Sequence, residues 1–211
     1  MTNGKLDIYI VILNQGVIDA ELAKTMIQML CQETEYNIIF ACSQRIMVDN
    51  NRNNIVKVFL ENKWDYLIMI DEDNPPTNNI LDLIKLDLDI VCFPTPMIRK
   101  EVDPPIFFNI FERIKDAYKP ILPQKGKLME IDAGGSGCIL IKRKVLENIK
   151  KPFESEWKED GTRGKSSDLK FCEKAKEKGF KIYTHWDYPC SHYKKINLLD
   201  IISMITKYPS Q

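Results

Sequence analysis

The sequence lacks several features that would assign it to a functional class at once. Its formal net charge is zero, because 30 Lys and Arg residues balance 30 Asp and Glu residues. A protein that binds nucleic acid through phosphate contacts needs a basic excess, so we expect no nucleic-acid partner. No apolar run approaches the ~20 residues that span a bilayer, so we expect no transmembrane segment, and there is no internal repeat or low-complexity segment.

Cysteine is present, but not in a disulfide or zinc pattern. None of the six cysteines belongs to a CxxC pair, which argues against a structural zinc site. Cys42, Cys92 and Cys138 lie in apolar, strand-like runs, where free cysteine behaves as a small buried hydrophobe. The N-terminal segment MTNGKLD has no basic stretch followed by an apolar one. We therefore expect a reduced protein in the cytoplasm, or in the host cytoplasm if the protein is viral.

The first half of the chain alternates apolar strand-like runs with amphipathic helical segments. Such alternation predicts right-handed βαβ units and a mostly parallel sheet, hence an α/β fold. Strands are predicted at residues 6–13, 37–43, 66–71 and 89–94, and helices at residues 19–33, 49–63 and 77–87, with Asp19 and Thr77 as N-caps.

This alternation ends after residue 96. Strands are predicted at residues 104–113, 127–133, 138–141 and 180–186, and helices near residues 142–149, 167–179 and 196–207. The polar segment 151–167 is predicted to be a mobile loop. The 211 residues suit a single domain, which we divide at the change of pattern into a half at residues 1–96, a half at residues 97–195 and a C-terminal helix at residues 196–211.

The segment IDEDNPP at residues 70–76 carries the clearest chemical signal. Asp71 and Asp73 follow a buried strand and enter a loop, at the sheet edge where open α/β sheets bind ligands. Two carboxylates flanking one residue can share a hard cation such as Mg²⁺ or Mn²⁺, which would stabilise a diphosphate leaving group. A solvated turn at the strand end is the alternative. The second D-x-D, from Asp87 to Asp89, precedes a strand and is interpreted as a solvated helix end.

The order of segments resembles that of the GT-A glycosyltransferases. The strand, D-x-D, proline turn and helix are followed by IDAGGSGCILIKRKVLENI at residues 131–149, which resembles the family's small-residue loop, strand and helix. The segment SSDLKFCEKAKEKGFKIYTHWDYPCSHY at residues 166–193 resembles its acid, aromatic-cysteine helix, strand and late histidine. The resemblance covers nearly the whole chain, and the small size is similar to GT-A modules of large algal DNA viruses.

This resemblance implies a single-domain GT-A fold and a metal-dependent glycosyltransferase. Residues 1–96 would be the nucleotide-sugar-binding half, and residues 97–195 the acceptor and catalytic half. The expected donor is a nucleotide-diphospho-sugar, with UDP as the expected nucleotide. The expected acceptor is a hydroxyl of a glycan or glycoprotein, and the expected cofactor is Mn²⁺ or Mg²⁺.

The resemblance also implies roles for single residues. Asp73 would be the main metal ligand, Asp71 a second ligand or a ribose contact, and His192 a third ligand. Asp168 matches the acid that serves as catalytic base in inverting members, although Ser167 stands where the family pattern has a second acid. From the residues alone, His192 could be a structural histidine and Asp168 a first-turn acid favoured by the helix dipole.

At the nucleotide end, contacts are expected after the first two strands and on the helix that follows. The candidates there are Leu13, Asn14, Gln15, Ser43, Arg45 and Arg52. Glu72 within the D-x-D and Gly135 in the small-residue loop are further candidates. An arginine suits a diphosphate through its planar fork, and glycine permits close approach of the backbone to a ligand. For each of these candidates a solvated loop position is the alternative.

Other functional classes remain open from the sequence. A haloacid-dehalogenase-type phosphatase also places D-x-D after an apolar strand, but here Asn74 and Pro75 follow the motif and two βα units precede it. A nucleotidyltransferase needs a Gly-rich loop with Arg and Lys after the first strand, which NQGVIDA lacks. A non-catalytic module that binds a nucleotide-sugar would share the fold of the enzyme.

Overall fold

The computed structural model describes residues 4–44, 46–99, 103–115 and 117–206, and the side chains as far as residue 204. The strands in these ranges are β1 (Asp7–Leu13), β2 (Asn37–Cys42), β3 (Tyr66–Asp71), β4 (Ile90–Cys92), β5 (Pro96–Ile98), β6 (Ile106–Phe108), β7 (Ile110–Ile114), β8 (Ala117–Pro120), β9 (Leu128–Ile131), β10 (Ala133–Gly134), β11 (Cys138–Lys142) and β12 (Ile182–His185). The helices are α1 (Ala20–Gln32), α2 (Val48–Glu61), α3 (Arg143–Glu147), α4 (Ser167–Glu177) and α5 (Leu198–Thr206). Within the described ranges, none of these helices has the length and apolar character needed to cross a membrane.

Seven of the described strands form a mixed central sheet in the order β2-β1-β3-β11-β4-β12-β9. β1 pairs in parallel with β2 and β3, and β4 pairs in parallel with β12. β11 runs antiparallel between β3 and β4, and β9 runs antiparallel along β12. A three-stranded sheet, β10-β7-β8, and the hairpin β5-β6 lie in the chain between β4 and β11.

The alternation of side chains along the strands divides the core into two layers. Ile8, Ile10 and Ile12 of β1 pack in one layer with apolar residues of α1, whereas the odd-numbered residues 9–13 pack in the other with α2, α3 and α4. Full burial of an aliphatic side chain contributes about 1.5–3 kcal/mol. The sheet is therefore stabilised on both faces, and its strand ends are fixed as a platform for the loops.

The helix starts follow the predicted capping chemistry in one case and not in the other. The Asp19 side chain caps α1 by accepting a hydrogen bond of 2.9 Å from the Glu21 amide. The predicted helix at residues 77–87 is instead a 3₁₀ helix over Ile80–Leu86, capped by Asn79. Thr77 is not the cap, because its hydroxyl donates to the Pro189 carbonyl at 2.8 Å.

Three other expectations were wrong in detail. The predicted strand at residues 104–113 divides into β6 and β7 at Asn109, whose buried side-chain oxygen accepts from the Thr95 amide at 2.8 Å. The predicted strand at residues 127–133 likewise divides into β9 and β10. Cys42 is exposed rather than buried, because β2 is an edge strand of the central sheet.

The polar segment before α4 forms a small hairpin. Glu156 donates its amide to the Lys165 carbonyl at 2.9 Å and accepts from the Gly164 amide at 2.8 Å. Trp157 pairs with Arg163 across the hairpin, and the Trp157 side chain is 64% exposed. The hairpin leads directly into the N-cap of α4 and so lies next to Asp168 in the chain.

Candidate functional site

Asp71 is the last residue of β3, and the residues after it form a tight turn. The Asp71 amide donates to the Gly137 carbonyl at 2.6 Å, and the Asn74 amide donates back to the Asp71 carbonyl at 3.0 Å. The side chain of Asp71 is 34% exposed, and it lines a cavity of about 410 Å³. The turn therefore directs Asp71 into the cavity, at the sheet edge where the sequence predicted a site.

The pKa of the Asp71 carboxyl is raised from 3.8 to about 6. Burial is the largest cause, because the low-dielectric surroundings disfavour the charged form. Arg52 opposes this rise, whereas the nearby carboxylates of Asp168 and Asp73 add to it. Asp71 thus titrates close to neutral pH, as is common at functional sites.

Arg52 of α2 links Asp71 to Asp168. One terminal nitrogen donates to Asp168 Oδ1 at 2.7 Å and the other to Asp71 Oδ1 at 3.3 Å. The second nitrogen also donates to the Ser136 carbonyl at 3.4 Å. The Arg52 side chain is only 5% exposed. Burial disfavours its charge, but Asp168 and Asp71 outweigh that effect and raise the pKa of Arg52. In this structure the guanidinium fork, which the sequence suggested for a diphosphate, is bound to carboxylates.

Asp168 lies in the first turn of α4 and points into the same cavity. Besides Arg52, it accepts a hydrogen bond from the hydroxyl of Ser136, a buried residue of the GGSG loop. Sequence reasoning did not single out Ser136, although the small-residue loop before β11 was its signal. Arg52 and Ser136 together fix the orientation of the Asp168 carboxylate.

A late segment of the chain pairs with the D-x-D loop. The Thr77 amide donates to the Pro189 carbonyl at 3.0 Å, the Ser191 amide to the Pro75 carbonyl at 2.9 Å and the Tyr193 amide to the Asp73 carbonyl at 3.0 Å. We call residues 189–194 the C-terminal clamp. These main-chain bonds set the register of the clamp and bring its side chains to Asp73.

Two side chains of the clamp reach the Asp73 carboxylate. Lys194 Nζ lies 2.5 Å from Asp73 Oδ2, and His192 Nε2 lies 3.6 Å from the same oxygen. His192 Nδ1 lies 2.7 Å from the Pro96 carbonyl. Because a carbonyl only accepts, Nδ1 carries the proton in this contact, and Nε2 is the ring nitrogen next to Asp73.

The donor set around Asp73 fits part of a divalent metal site. A carboxylate suits Mg²⁺ and Mn²⁺, and metal-binding histidines commonly donate their other ring N–H to a carbonyl. Adjacent ligands of an octahedral cation at about 2.1 Å lie about 3 Å apart, so the 3.6 Å between His192 Nε2 and Asp73 Oδ2 would have to shorten when a cation binds. Asp71 contacts Arg52 instead, and among the described residues no group of three His, Cys, Asp or Glu side chains is arranged to hold a metal. The remaining ligands would have to come from the donor and water.

The candidates for nucleotide binding gather at the ends of β1, β2 and β3. Glu72 donates its amide to the Leu13 carbonyl at 3.1 Å, and its carboxylate accepts from the Gln15 amide. The Ser43 hydroxyl accepts from the Asn14 amide at 3.1 Å. It also accepts from the Asn51 side chain, at 2.8 Å. Ser43 borders a second cavity of about 350 Å³ beside α2, whereas Arg45 lies outside the described residues.

Gly135 is required by packing. A Cβ at this position would come within 2.5 Å of Asn109 Nδ2, so any side chain would displace Asn109. Its amide donates to the Asn109 carbonyl at 2.9 Å. Gly135 lines the 410 Å³ cavity. The group that its backbone approaches closely is the Asn109 side chain, whereas the sequence suggested a ligand.

Three aromatic side chains also line the cavity. They belong to Phe107, Phe111 and Tyr118, and the ring centroids are 6.3 Å apart for Phe107 and Phe111 and 6.5 Å apart for Phe111 and Tyr118. The cavity thus combines an acid and arginine cluster with aromatic surface. Polar groups that fix orientation and aromatic side chains that supply contact area occur together in sites that bind small molecules.

Comparisons with known proteins give the fold but no sequence family. No protein-family model matches the chain, and no curated protein sequence matches it. The structure is similar to that of A197 from STIV, with a TM-score of 0.63 and 19% identity over 90% of this chain and 87% of that one. It is also similar to GalNAc-T7, crystallised with UDP, GalNAc and Mn²⁺, with a TM-score of 0.52 and 10% identity. That match covers 97% of this chain and 48% of GalNAc-T7.

The chain has a GT-A-like fold. The predicted fold class, a single α/β domain, is therefore confirmed, with a mixed central sheet in which β11 is antiparallel. At these levels of identity the similarity concerns the fold, and the roles of the individual residues must be argued from their positions.

Proposed function

We propose that this protein is a glycosyltransferase that moves a sugar from a nucleotide-diphospho-sugar to a hydroxyl of a glycan or glycoprotein, with Mn²⁺ or Mg²⁺. The observation that carries the proposal is the meeting of four separate parts of the chain at one site. Asp71 and Asp168 share Arg52, and the clamp brings His192 to Asp73 at the rim. The GT-A-like fold supports the same conclusion.

In this proposal Asp73 and His192 hold the cation, and Asp71 contacts it or the donor ribose. When bound, the cation neutralises charge on the diphosphate as the bond to the sugar breaks. Leu13, Asn14, Gln15, Ser43, Arg45 and Glu72 contact the nucleotide, and Arg52 and Gly135 border the diphosphate and sugar. GalNAc-T7 was crystallised with UDP, GalNAc and Mn²⁺, so UDP-GalNAc is the first donor to test.

Asp168 is proposed as the base that takes the proton from the acceptor hydroxyl. It is aligned by Arg52 at 2.7 Å and by Ser136, and its carboxylate faces the cavity. Phe107, Phe111 and Tyr118, which line the same cavity, would hold the apolar face of an acceptor sugar and limit the entry of water. Proton transfer to an aligned base contributes typically about 10²–10⁴-fold to a rate.

A non-catalytic module that binds a nucleotide-sugar is the second candidate. It is favoured by one observation: both carboxylates of the D-x-D are already paired, Asp71 with Arg52 and Asp73 with Lys194. The phosphatase alternative receives no such support, because the fold is GT-A-like.

The test measures binding and turnover separately. UDP-GalNAc with Mn²⁺ should raise the melting temperature of the parent protein, since a ligand that binds the folded state stabilises it. Release of UDP should then be detectable and should fall about 100-fold in Asp168→Asn, with donor binding retained. Glu21→Gln, an exposed acid on α1, is the matched control and should behave as the parent. Donor binding without UDP release from any variant or acceptor would establish the module instead.

A further inference from the structure

Lys194 occupies a position on Asp73 that the proposed cation would need. Its ammonium lies 2.5 Å from Asp73 Oδ2, the oxygen that also faces His192 Nε2 at 3.6 Å. Asp73 thus has a monovalent cation on the oxygen that the metal would use.

The two D-x-D carboxylates differ in how firmly their cations are held. The Arg52 side chain is 5% exposed and bonded to two acids, so it is fixed between Asp71 and Asp168. The Lys194 side chain is 52% exposed and carries its ammonium group on a flexible four-carbon stem. An ion pair made by an exposed lysine contributes little, so a divalent ion can displace the ammonium from Asp73.

Lys194 could also contact a ligand in the cavity, because its side chain lies at the cavity surface. It lines the 410 Å³ cavity together with His192, Asp71 and Arg52. The Tyr193 amide donates a hydrogen bond of 3.0 Å to the Asp73 carbonyl and so fixes the backbone next to Lys194. An ammonium released from Asp73 therefore stays beside the site. A tethered cation next to a metal-bound diphosphate would bind its oxygens as a point charge.

We propose that Lys194 is an exchangeable cation: it neutralises Asp73 in the free protein, is displaced by the divalent metal, and then binds the diphosphate of the donor. The second half of this exchange rests on the proposed function, whereas the first half needs only the metal. In the free protein the ammonium of Lys194 would offset the charge of Asp73. After the metal and the donor bind, it would offset part of the charge of the diphosphate.

The test exploits the opposite effects that the exchange predicts for two ligands. In Lys194→Met, which keeps the length of the side chain and removes its charge, the competitor for Asp73 is lost. The affinity for Mn²⁺ alone, measured by electron paramagnetic resonance or calorimetry, should rise about threefold to tenfold. At saturating Mn²⁺, the affinity for UDP should fall by a similar factor, because the diphosphate loses a cation. Lys194→Arg should restore both values toward those of the parent.

Lys195→Met is the matched control, since the neighbouring lysine is exposed and Asp73 pairs with Lys194 and His192 instead. It should leave both affinities unchanged. A general loss of structure in Lys194→Met would lower both affinities, and so cannot imitate a rise in one and a fall in the other.

The possible outcomes separate the two halves. Unchanged or weaker Mn²⁺ binding by Lys194→Met, or no Mn²⁺ binding by parent and variant alike, overturns the exchange. A rise in Mn²⁺ affinity with unchanged UDP affinity removes the diphosphate contact. If Mn²⁺ affinity rises but none of the proteins binds UDP, the competition for Asp73 stands and the proposed function fails.

Discussion

Asp71 allows a test of the site that requires no substrate. Its pKa is raised from 3.8 to about 6, chiefly by burial, so the folded protein binds a proton at Asp71 more tightly than the unfolded chain does. The stability contributed by this proton is fully present below about pH 4 and is lost as the pH rises through about 6. Above that pH the folded state carries the whole cost of a partly desolvated carboxylate.

The size of the effect follows from the shift and from the exposure of the side chain. Two pKa units correspond to roughly 3 kcal/mol, but about one third of the Asp71 side chain meets solvent in the cavity, which screens the charge. We therefore expect Asp71→Asn, which resembles the protonated acid, to stabilise the metal-free protein by roughly 1–2 kcal/mol at pH 7.5. At pH 4.5 the gain should be about one third as large.

Urea unfolding of parent and variant at pH 4.5, 6.0 and 7.5, with chelator present, measures this difference. Asp168→Asn is the control of opposite sign: it removes the negative charge that pairs with the buried Arg52 at 2.7 Å and should destabilise the protein. The reasoning about Asp71 is refuted if Asp71→Asn destabilises the protein at pH 7.5, or if its effect is the same at all three pH values.

Further predictions concern the arginine, the histidines and the hairpin. Arg52→Met leaves two neighbouring carboxylates without their shared cation and should cost about 2–4 kcal/mol in urea unfolding; a change below about 0.5 kcal/mol would show that the pairs contribute little. His192→Ala should weaken Mn²⁺ binding about 10–100-fold by calorimetry, while His185→Ala, in β12, should not; equal effects would remove His192 as a ligand. Donor plus Mn²⁺ should slow proteolysis of the hairpin at residues 155–165. It should also alter the fluorescence of Trp157, which is 64% exposed. Unchanged cleavage would exclude closure of the hairpin over the donor.

Local features of the site were predictable from the sequence because they depend on neighbouring residues. The apolar run before Asp71 predicted a buried strand that ends at the ligand-binding edge, and β3 does end there. Asp168 lies in the first turn of α4, as predicted, because the helical pattern of residues 167–179 begins one residue before it. The strand–helix alternation likewise predicted the α/β class.

Features that depend on pairing between distant segments left no such signal. Arg52 was singled out for a phosphate, but its bonds to Asp71 and Asp168 require the fold to bring α2, β3 and α4 together. In the sequence Lys194 is only one of two adjacent lysines, and nothing local indicates the clamp that brings it to Asp73. Thr77 was predicted to cap a helix, but the clamp takes its hydroxyl.

The roles of the site residues and the division into halves at residues 1–96 and 97–195 stay predictions. A cytoplasmic location also stays a prediction.

The antiparallel strand β11 has a consequence for the folding of the chain. Leu140 pairs with Ile68 of β3 on one side and with Val91 of β4 on the other, so a chain that ends after β4 would have a one-strand gap in the middle of its sheet. Unpaired strand edges of this kind promote association with other chains. Contacts between segments so far apart in sequence also form late and slowly. We therefore expect the halves on either side of residue 96 to unfold in one cooperative transition, and a fragment of residues 1–96 to aggregate rather than fold alone.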